Sequence, residues 1–146
     1  MKNKKVLISG GTHGIGLEIA KILAKNKFDI SFFSRSKKNI TKTLKVLKKY
    51  KVKTYAEQVD ALNLSEIENF FKNIKKNFGE IDILINNVGG GGSWGSELIE
   101  ETSYKVWSEV NTKNVGAAIK LITLCVPSMK KKKWGRVITI ASISAK

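Results

Sequence analysis

The run Lys5-Val6-Leu7-Ile8-Ser9-Gly10-Gly11-Thr12-His13-Gly14-Ile15-Gly16 carries three signals in succession. Val6-Leu7-Ile8 is a short continuous apolar run, the pattern of a strand covered on both faces. Gly10 and Gly11 stop it. Beyond them Ile15, Ile19, Ile22 and Leu23 recur at helical spacing, so a core-facing stripe is expected there. A strand that feeds a helix through glycines brings backbone N–H groups and the positive end of a helix dipole to one point. With no side chains in the way, a pyrophosphate can approach that point closely.

The same alternation runs outward along the chain. Ile30-Ser31-Phe32-Phe33 reads as a second strand, and Ile40, Leu44 and Leu47 as the stripe of the helix after it. Residues 52–59 alternate as a third strand does. Leu64-Ser65 opens a helix, with Ser65 as N-cap and Glu68 three residues later, the capping-box pattern. Its stripe is Ile67, Phe70, Phe71, Ile74 and Phe78, and Gly79 stops it. Residues 81–85 read as a fourth strand. A helix is predicted over about residues 103–132, broken by Gly135, and residues 137–140 give a fifth strand. The order β-α-β-α-β-α-β-α-β predicts an α/β fold, a doubly wound parallel sheet with helices on both faces. In such sheets ligands bind beyond the carboxyl ends of the strands, near the switch in strand order.

Glycine placement points to the same end of the sheet. Gly10, Gly11, Gly14 and Gly16 follow the first predicted strand, and Gly89 to Gly92 with Gly95 follow the fourth. Together they are nine of the 12 glycines in the chain.

At 146 residues the chain is in the range of one domain. Lys+Arg at 27 against Asp+Glu at 12 gives a net charge of +15, nearly all from lysine, since the arginines are Arg35 and Arg136. The lysines lie along every segment, and the densest run, Lys130 to Lys133, ends a helix, where cations suit the dipole. Nucleic-acid binding would gather arginine and aromatics on one face, so no nucleic-acid partner is expected. Cys125 is the single cysteine, which excludes an internal disulfide and a cysteine-based zinc site. No apolar run approaches the roughly 20 residues that span a bilayer. The apolar stretch after the basic start is too short for a secretory signal. A soluble, cytoplasmic protein with no membrane partner is the expectation.

Asp82-Ile83-Leu84-Ile85-Asn86-Asn87-Val88-Gly89 resembles the D-x-L-x-N-N-A-G signature of the short-chain dehydrogenase/reductase family. The first glycine run is similar to that family's T-G-x-x-x-G-I-G, with Ser9 in place of the threonine. Its G-x-x-x-G-x-G spacing differs from the commoner G-x-G-x-x-G fingerprint. Trp107, Asn114, Pro127, Met129 and the block Gly135 to Ser142 resemble the family's fourth-helix and fifth-strand segment, in the family's order.

The resemblance implies a Rossmann-like, NAD(P)-binding domain over residues 1–146, cut after the fifth strand. It implies that Gly10, Gly11, Thr12, His13, Gly14, Ile15 and Gly16 wrap the cofactor diphosphate, with Thr12 also able to meet the adenosine part. Asp60, with Ala61, sits where the family contacts adenine. Asn87 and Gly89 would line the nicotinamide side, while Asn86 ties neighbouring strands. Asn114, favoured over Asn111, matches the asparagine that holds a water in the family's proton relay. Ser142, favoured over Ser144, matches the serine that hydrogen-bonds the substrate carbonyl. The substrate implied is a small carbonyl compound or alcohol, such as a 3-oxoacyl substrate, and the complete protein is expected to be a homo-oligomer.

Cofactor choice has a physical argument of its own. An acidic residue at the end of the second strand would accept the ribose hydroxyls of NAD and repel a 2′-phosphate. Here that end reads Ser34-Arg35-Ser36, and Asp29 lies at the strand's beginning. Arg35 can grip a phosphate with its planar fork, and His13 adds to it when protonated. NADP is the expected cofactor.

One part of the family pattern does not occur. The general acid/base is a tyrosine in Y-x-x-x-K, downstream of the serine, and the chain holds no such motif: Tyr104 has Ser108 four positions later, and Tyr50 and Tyr55 belong to the adenosine half. This chain is therefore expected to have little carbonyl reductase activity. A non-catalytic nucleotide-binding module is the alternative reading. Trp94, in the second glycine stretch, is open to either a substrate contact or a packing role; Trp107 and Trp134 read as structural, and Cys125 as a small core residue.

Overall fold

A computed structural model describes residues 4–90 and 98–142. The elements are β1 (Lys5–Ser9), α1 (Gly14–Lys25), β2 (Asp29–Ser34), α2 (Lys37–Lys48), β3 (Thr54–Gln58), α3 (Leu64–Asn77), β4 (Ile83–Asn86), α4 (Tyr104–Asn111), α5 (Ala117–Lys131) and β5 (Arg136–Thr139). A short 3-10 turn, Ile99–Glu101, precedes α4. The five strands form one parallel sheet in the order β3-β2-β1-β4-β5. The expected α/β doubly wound fold is observed, and the order reverses at β1 and β4, the two strands that carry the glycine runs at their carboxyl ends.

Strand periodicity sorts the core into two layers. Val6 and Ile8, Ile30 and Phe32, and Ile83 and Ile85 face Ala20, Ala24, Ile40 and Leu47 of α1 and α2. Leu7, Phe33 and Leu84 face the other way, onto Ile67, Phe70 and Ile74 of α3 and Leu121 and Cys125 of α5. Each fully buried aliphatic or phenyl side chain contributes about 1.5–3 kcal/mol of transfer free energy. The mid-strand hydroxyl of Ser31 is satisfied by donating to the Val6 carbonyl at 2.8 Å.

Four local expectations are corrected. The α1 stripe is only in part the expected row: Ile19 and Leu23 pack half-buried against the first core layer, but Ile15 and Ile22 are 61% and 60% exposed, while Gly16, Ala20 and Ala24 are buried. Small residues face the sheet because Gly16 must seat within contact distance of the glycine loop. The α3 N-cap is Asn63, not Ser65; its side chain accepts from the N–H groups of Ser65 and Glu66. Asn63 holds the extended backbone a cap needs, and its amide in turn donates to Glu66. The long helix is two, α4 and α5, joined by one π-helical turn, Thr112–Gly116. The stop after α5 is made by Lys133 in the left-handed region (φ 52°), whereas Gly135 is needed for close packing on Met129.

Trp134 packs against the first core layer with the Lys4 ammonium 4.4 Å from its ring centre, but Trp107 is half exposed on α4. β5 is the edge of the described sheet, with Val137 and Ile138 exposed. Among the described residues no helix is long and apolar enough to cross a membrane.

Candidate functional site

The carboxyl ends of β1 and β4 are tied together by side chains. Ser9 is buried, and its hydroxyl oxygen accepts the backbone N–H groups of both Asn87 and Val88 at 2.9 Å. The Asn87 amide returns the connection, donating to the carbonyls of Ser9 at 3.0 Å and Gly10 at 3.1 Å. A Cβ at Gly16 would lie 2.4 Å from the Gly10 carbonyl oxygen and 2.5 Å from the Asn87 amide nitrogen, so only glycine fits. A Cβ at Gly11 would strike Phe32. The loop is thus clamped between β2, β4 and the start of α1.

That clamp exposes the start of α1 to a cavity of about 460 Å³. His13 stands at the N-cap in extended conformation, and its side chain makes no capping hydrogen bond, whereas Ser36, Asn63 and Ser103 cap α2, α3 and α4. The first-turn N–H groups therefore keep their capacity for an anion. Beside them nothing lies within 4 Å of where a Gly14 Cβ would be. Gly10, His13, Gly14 and Ile15 form one wall; Phe33, Ser34 and Arg35 continue it from β2. Val59, Asp60 and Ala61 enter from the end of β3, and Asn87, Val88 and Gly89 from β4. The uncapped N–H groups, the open space at Gly14 and a cavity lined from the ends of β1, β2, β3 and β4 fit an adenine dinucleotide.

Gly11, Thr12 and Gly16, expected at the cofactor, are buried behind this surface, and Ser36 is half-exposed. Thr12 is buried and donates to the Ser34 hydroxyl at 3.0 Å, locking the loop onto β2. Ser36 caps α2 by accepting from the Asn39 N–H. Gly11 and Gly16 are packing positions. Asp60 is held firmly: its N–H donates to Glu66 at 2.9 Å and its carboxylate accepts from Leu62 at 3.0 Å. Asn86 is buried, donating to the Thr139 hydroxyl across to β5 at 3.4 Å. Asp29, at the other end of β2, accepts the Lys53 N–H.

Lys113 also lines the cavity and was not among the expected residues. It lies in the π-helical turn. Burial and the Arg35 charge push its ammonium below its ordinary pKa, while Asp60 pulls the other way. The next residue, Asn114, accepts the Gly90 N–H at 2.9 Å and donates to the Val110 carbonyl at 2.9 Å. Its side chain thereby fixes the loop after β4 against the helical turn. π-Helical turns often mark functional positions. Asn114 stands behind Gly89 and Gly90 rather than in the cavity wall, and Ser142 is exposed three residues past β5. Ser144 and Trp94 lie outside the described residues.

None of the tyrosines lines this cavity. Tyr104 is 86% exposed. Tyr55 donates to Glu57 and packs near Phe70 and Phe78; burial, then the Glu57 carboxylate, push its phenol above the ordinary value, the wrong direction for a base. Cys125 is buried in the core, and burial pushes its thiol up to about 12.

Comparison with known proteins agrees with this geometry. Residues 4–146 match the short chain dehydrogenase family model. The ketoacyl reductase HetN of Nostoc sp. is 32% identical over 148 residues, covering 100% of this chain and 50% of that protein. The structure of L-sorbose reductase from Gluconobacter frateurii, complexed with NADPH and L-sorbose, superposes with a TM-score of 0.92 at 30% identity, over 99% of this chain and 54% of that one. An NADH-dependent reductase complexed with NAD superposes with a TM-score of 0.88 at 25% identity, over 99% and 62%. The chain spans about half the length of the curated relatives it matches. A glycine loop clamped by Ser9 and Asn87 above an uncapped helix, with the family's motifs in order over nearly every residue, makes this chain a member of the short-chain dehydrogenase/reductase family.

Proposed function

We propose that this chain forms the NADP(H)-binding part of an oxidoreductase that acts on a carbonyl compound or secondary alcohol of the 3-oxoacyl kind. The observation that carries the cofactor reading is Arg35. It lines the cavity from the carboxyl end of β2, where an NAD-selective site would present a carboxylate. The Gln58 side chain donates to the Arg35 carbonyl at 3.0 Å and so fixes its backbone. Solved relatives hold NADPH in one case and NAD in another, so the local charge is what distinguishes the two here. Ketoacyl reductases among the relatives favour the substrate class.

The first-turn N–H groups of α1, with the cavity-facing loop residues Gly10, His13, Gly14 and Ile15, hold the diphosphate. Arg35, with His13 beside it, receives the 2′-phosphate, and Asp60 and Ala61 flank the adenine. Asn87 and Gly89 border the nicotinamide end. When bound, the reduced nicotinamide supplies hydride to the substrate carbonyl carbon. Ser142 donates a hydrogen bond to the carbonyl oxygen and its growing negative charge. Asn114, in the helical turn, is the residue beside which a proton-relay water would sit, and its side chain holds Gly90 and Val110 in place. The acid that delivers that proton is not among residues 1–146, which by themselves have little or no turnover.

Titration with NADPH and NADH, followed by nicotinamide fluorescence, tests the reading. NADPH is expected to bind at least about tenfold more tightly, as one charge-assisted contact allows, with Arg35→Ala removing the difference. Equal affinities overturn NADP selectivity. Turnover of a ketone panel at an ordinary enzymatic rate overturns the claim that residues 1–146 lack the proton donor.

A further inference from the structure

Arg35 and Lys113 reach one cavity from different sides. Arg35 follows β2 and Lys113 belongs to the helical segment after β4; these strands flank β1 on either side. Asp60 is the one carboxylate among the described residues of the cavity wall; it accepts the Leu62 N–H and its charge attracts Lys113, so two cations face one anion there. Two cations brought together in a partly buried space repel each other more strongly than in water, unless an anion sits between them. Burial first, and then the Arg35 charge, hold the Lys113 ammonium below its ordinary pKa against the pull of Asp60. Lys113 is also placed by more than its own flexibility. The next residue, Asn114, anchors the turn through Gly90 and Val110, which fixes the root of the Lys113 side chain.

We propose that Lys113 is a second specificity-determining residue, which closes with Arg35 on the phosphate carried by the adenosine ribose. This rests on the NADP reading above. It adds a residue from the helical wall to a subsite otherwise built from β2 and the glycine loop. The cofactor then bridges the two sides of the switch point through a phosphate as well as through the diphosphate.

The test is calorimetric titration of the chain with 2′,5′-ADP and with 5′-ADP, which differ in the ribose phosphate. Lys113→Met is expected to weaken 2′,5′-ADP by about tenfold and 5′-ADP by less than about twofold. Lys113→Arg is expected to retain most of the discrimination, and circular dichroism establishes that both variants are folded. If wild type discriminates and Lys113→Met discriminates equally, Arg35 suffices and the role of Lys113 is wrong. A parallel loss for both ligands gives Lys113 a general rather than a phosphate-specific role and also overturns the proposal. If wild type binds the two ligands equally, the NADP reading itself falls and takes this proposal with it. An unfolded Lys113→Met leaves the decision to Lys113→Gln, read by the same ratio.

Discussion

The Asn87 carboxamide donates to the Ser9 carbonyl at 3.0 Å, across the point where the strand order reverses, and to the Gly10 carbonyl at 3.1 Å. Strand pairing of β1 with β4 ends one residue earlier, at Ile8 with Ile85, so this amide extends the connection into the loop. Asn87→Leu keeps the volume and removes both donors, leaving two half-buried carbonyls short of partners. A stability loss of about 1–3 kcal/mol is expected in urea denaturation. NADPH affinity should fall with it, since the loop that carries the cofactor site loses its tie. A variant that kept both properties would show that the Ser9 hydroxyl alone holds the loop.

Gly16 and Gly14 separate two reasons for a glycine. A Cβ at Gly16 would sit 2.4 Å from the Gly10 carbonyl oxygen, within backbone that has nowhere to go. At Gly14 there is open space, and the only obstacle is its φ of 51°. Gly16→Ala is expected to cost about 1–3 kcal/mol or more by overpacking and to abolish NADPH binding. Gly14→Ala should cost about 1 kcal/mol in backbone strain, with binding reduced where the Cβ meets the diphosphate. Thermal unfolding and fluorescence titration of the pair distinguish the two; equal destabilisation would contradict the contact geometry.

Periodic features were legible in the sequence, because strands of period two and the α3 stripe from Ile67 to Phe78 are written in large apolar residues. The family motifs likewise placed the loop, Arg35, Asp60 and Asn87 at one end of the sheet. Less legible was whatever depends on distance between segments. The buried face of α1 consists of Gly16, Ala20 and Ala24, whose small hydropathy hides a close approach that isoleucines would prevent. Thr12 carries a ligand-type hydroxyl, yet it is buried and donates to the Ser34 side chain. Lys113 was invisible for a geometric reason. The π-helical turn inserts an extra residue, which rotates the following positions by about 100° relative to a continuous helix. A uniform helix over residues 103–132 assigns the wrong face to that segment.

Asp82 predicts a pH effect at the opposite end of the sheet. Burial raises its carboxyl, but the hydrogen bond from Lys132 at 2.6 Å, the Lys5 N–H at 3.0 Å and the Lys132 and Lys4 charges outweigh burial and hold it below the ordinary 3.8. A carboxyl depressed in the folded state contributes stability that is complete above its unfolded value and lost as pH falls through the folded one. Asp82→Asn is therefore expected to be about 1–3 kcal/mol less stable than wild type at pH 7. The gap should close as pH drops below 3.8, where wild type protonates and the two side chains become alike. Urea denaturation of both proteins across that range measures it; a constant gap would assign the cost of the substitution to packing instead of charge.

The α1 face gives the sharpest contrast between hydropathy and packing. Ile22 is a large apolar residue in a core-like pattern, yet it is 60% exposed; Ala20, two positions away, is fully buried against the sheet. Helix and sheet approach there at a distance set by Gly16 at the loop, so added volume at Ala20 forces α1 outward and moves its first-turn N–H groups off the cavity. Ile22→Lys is expected to change stability by no more than about 0.5 kcal/mol. Ala20→Leu is expected to cost about 1–3 kcal/mol and to weaken NADPH, because the helix start and the loop shift together. Chemical denaturation and cofactor titration of the two variants provide the check. If Ile22→Lys were the more damaging, α1 would have to lie rotated by roughly 160° from the face described, since 100° per residue separates the two positions by that angle.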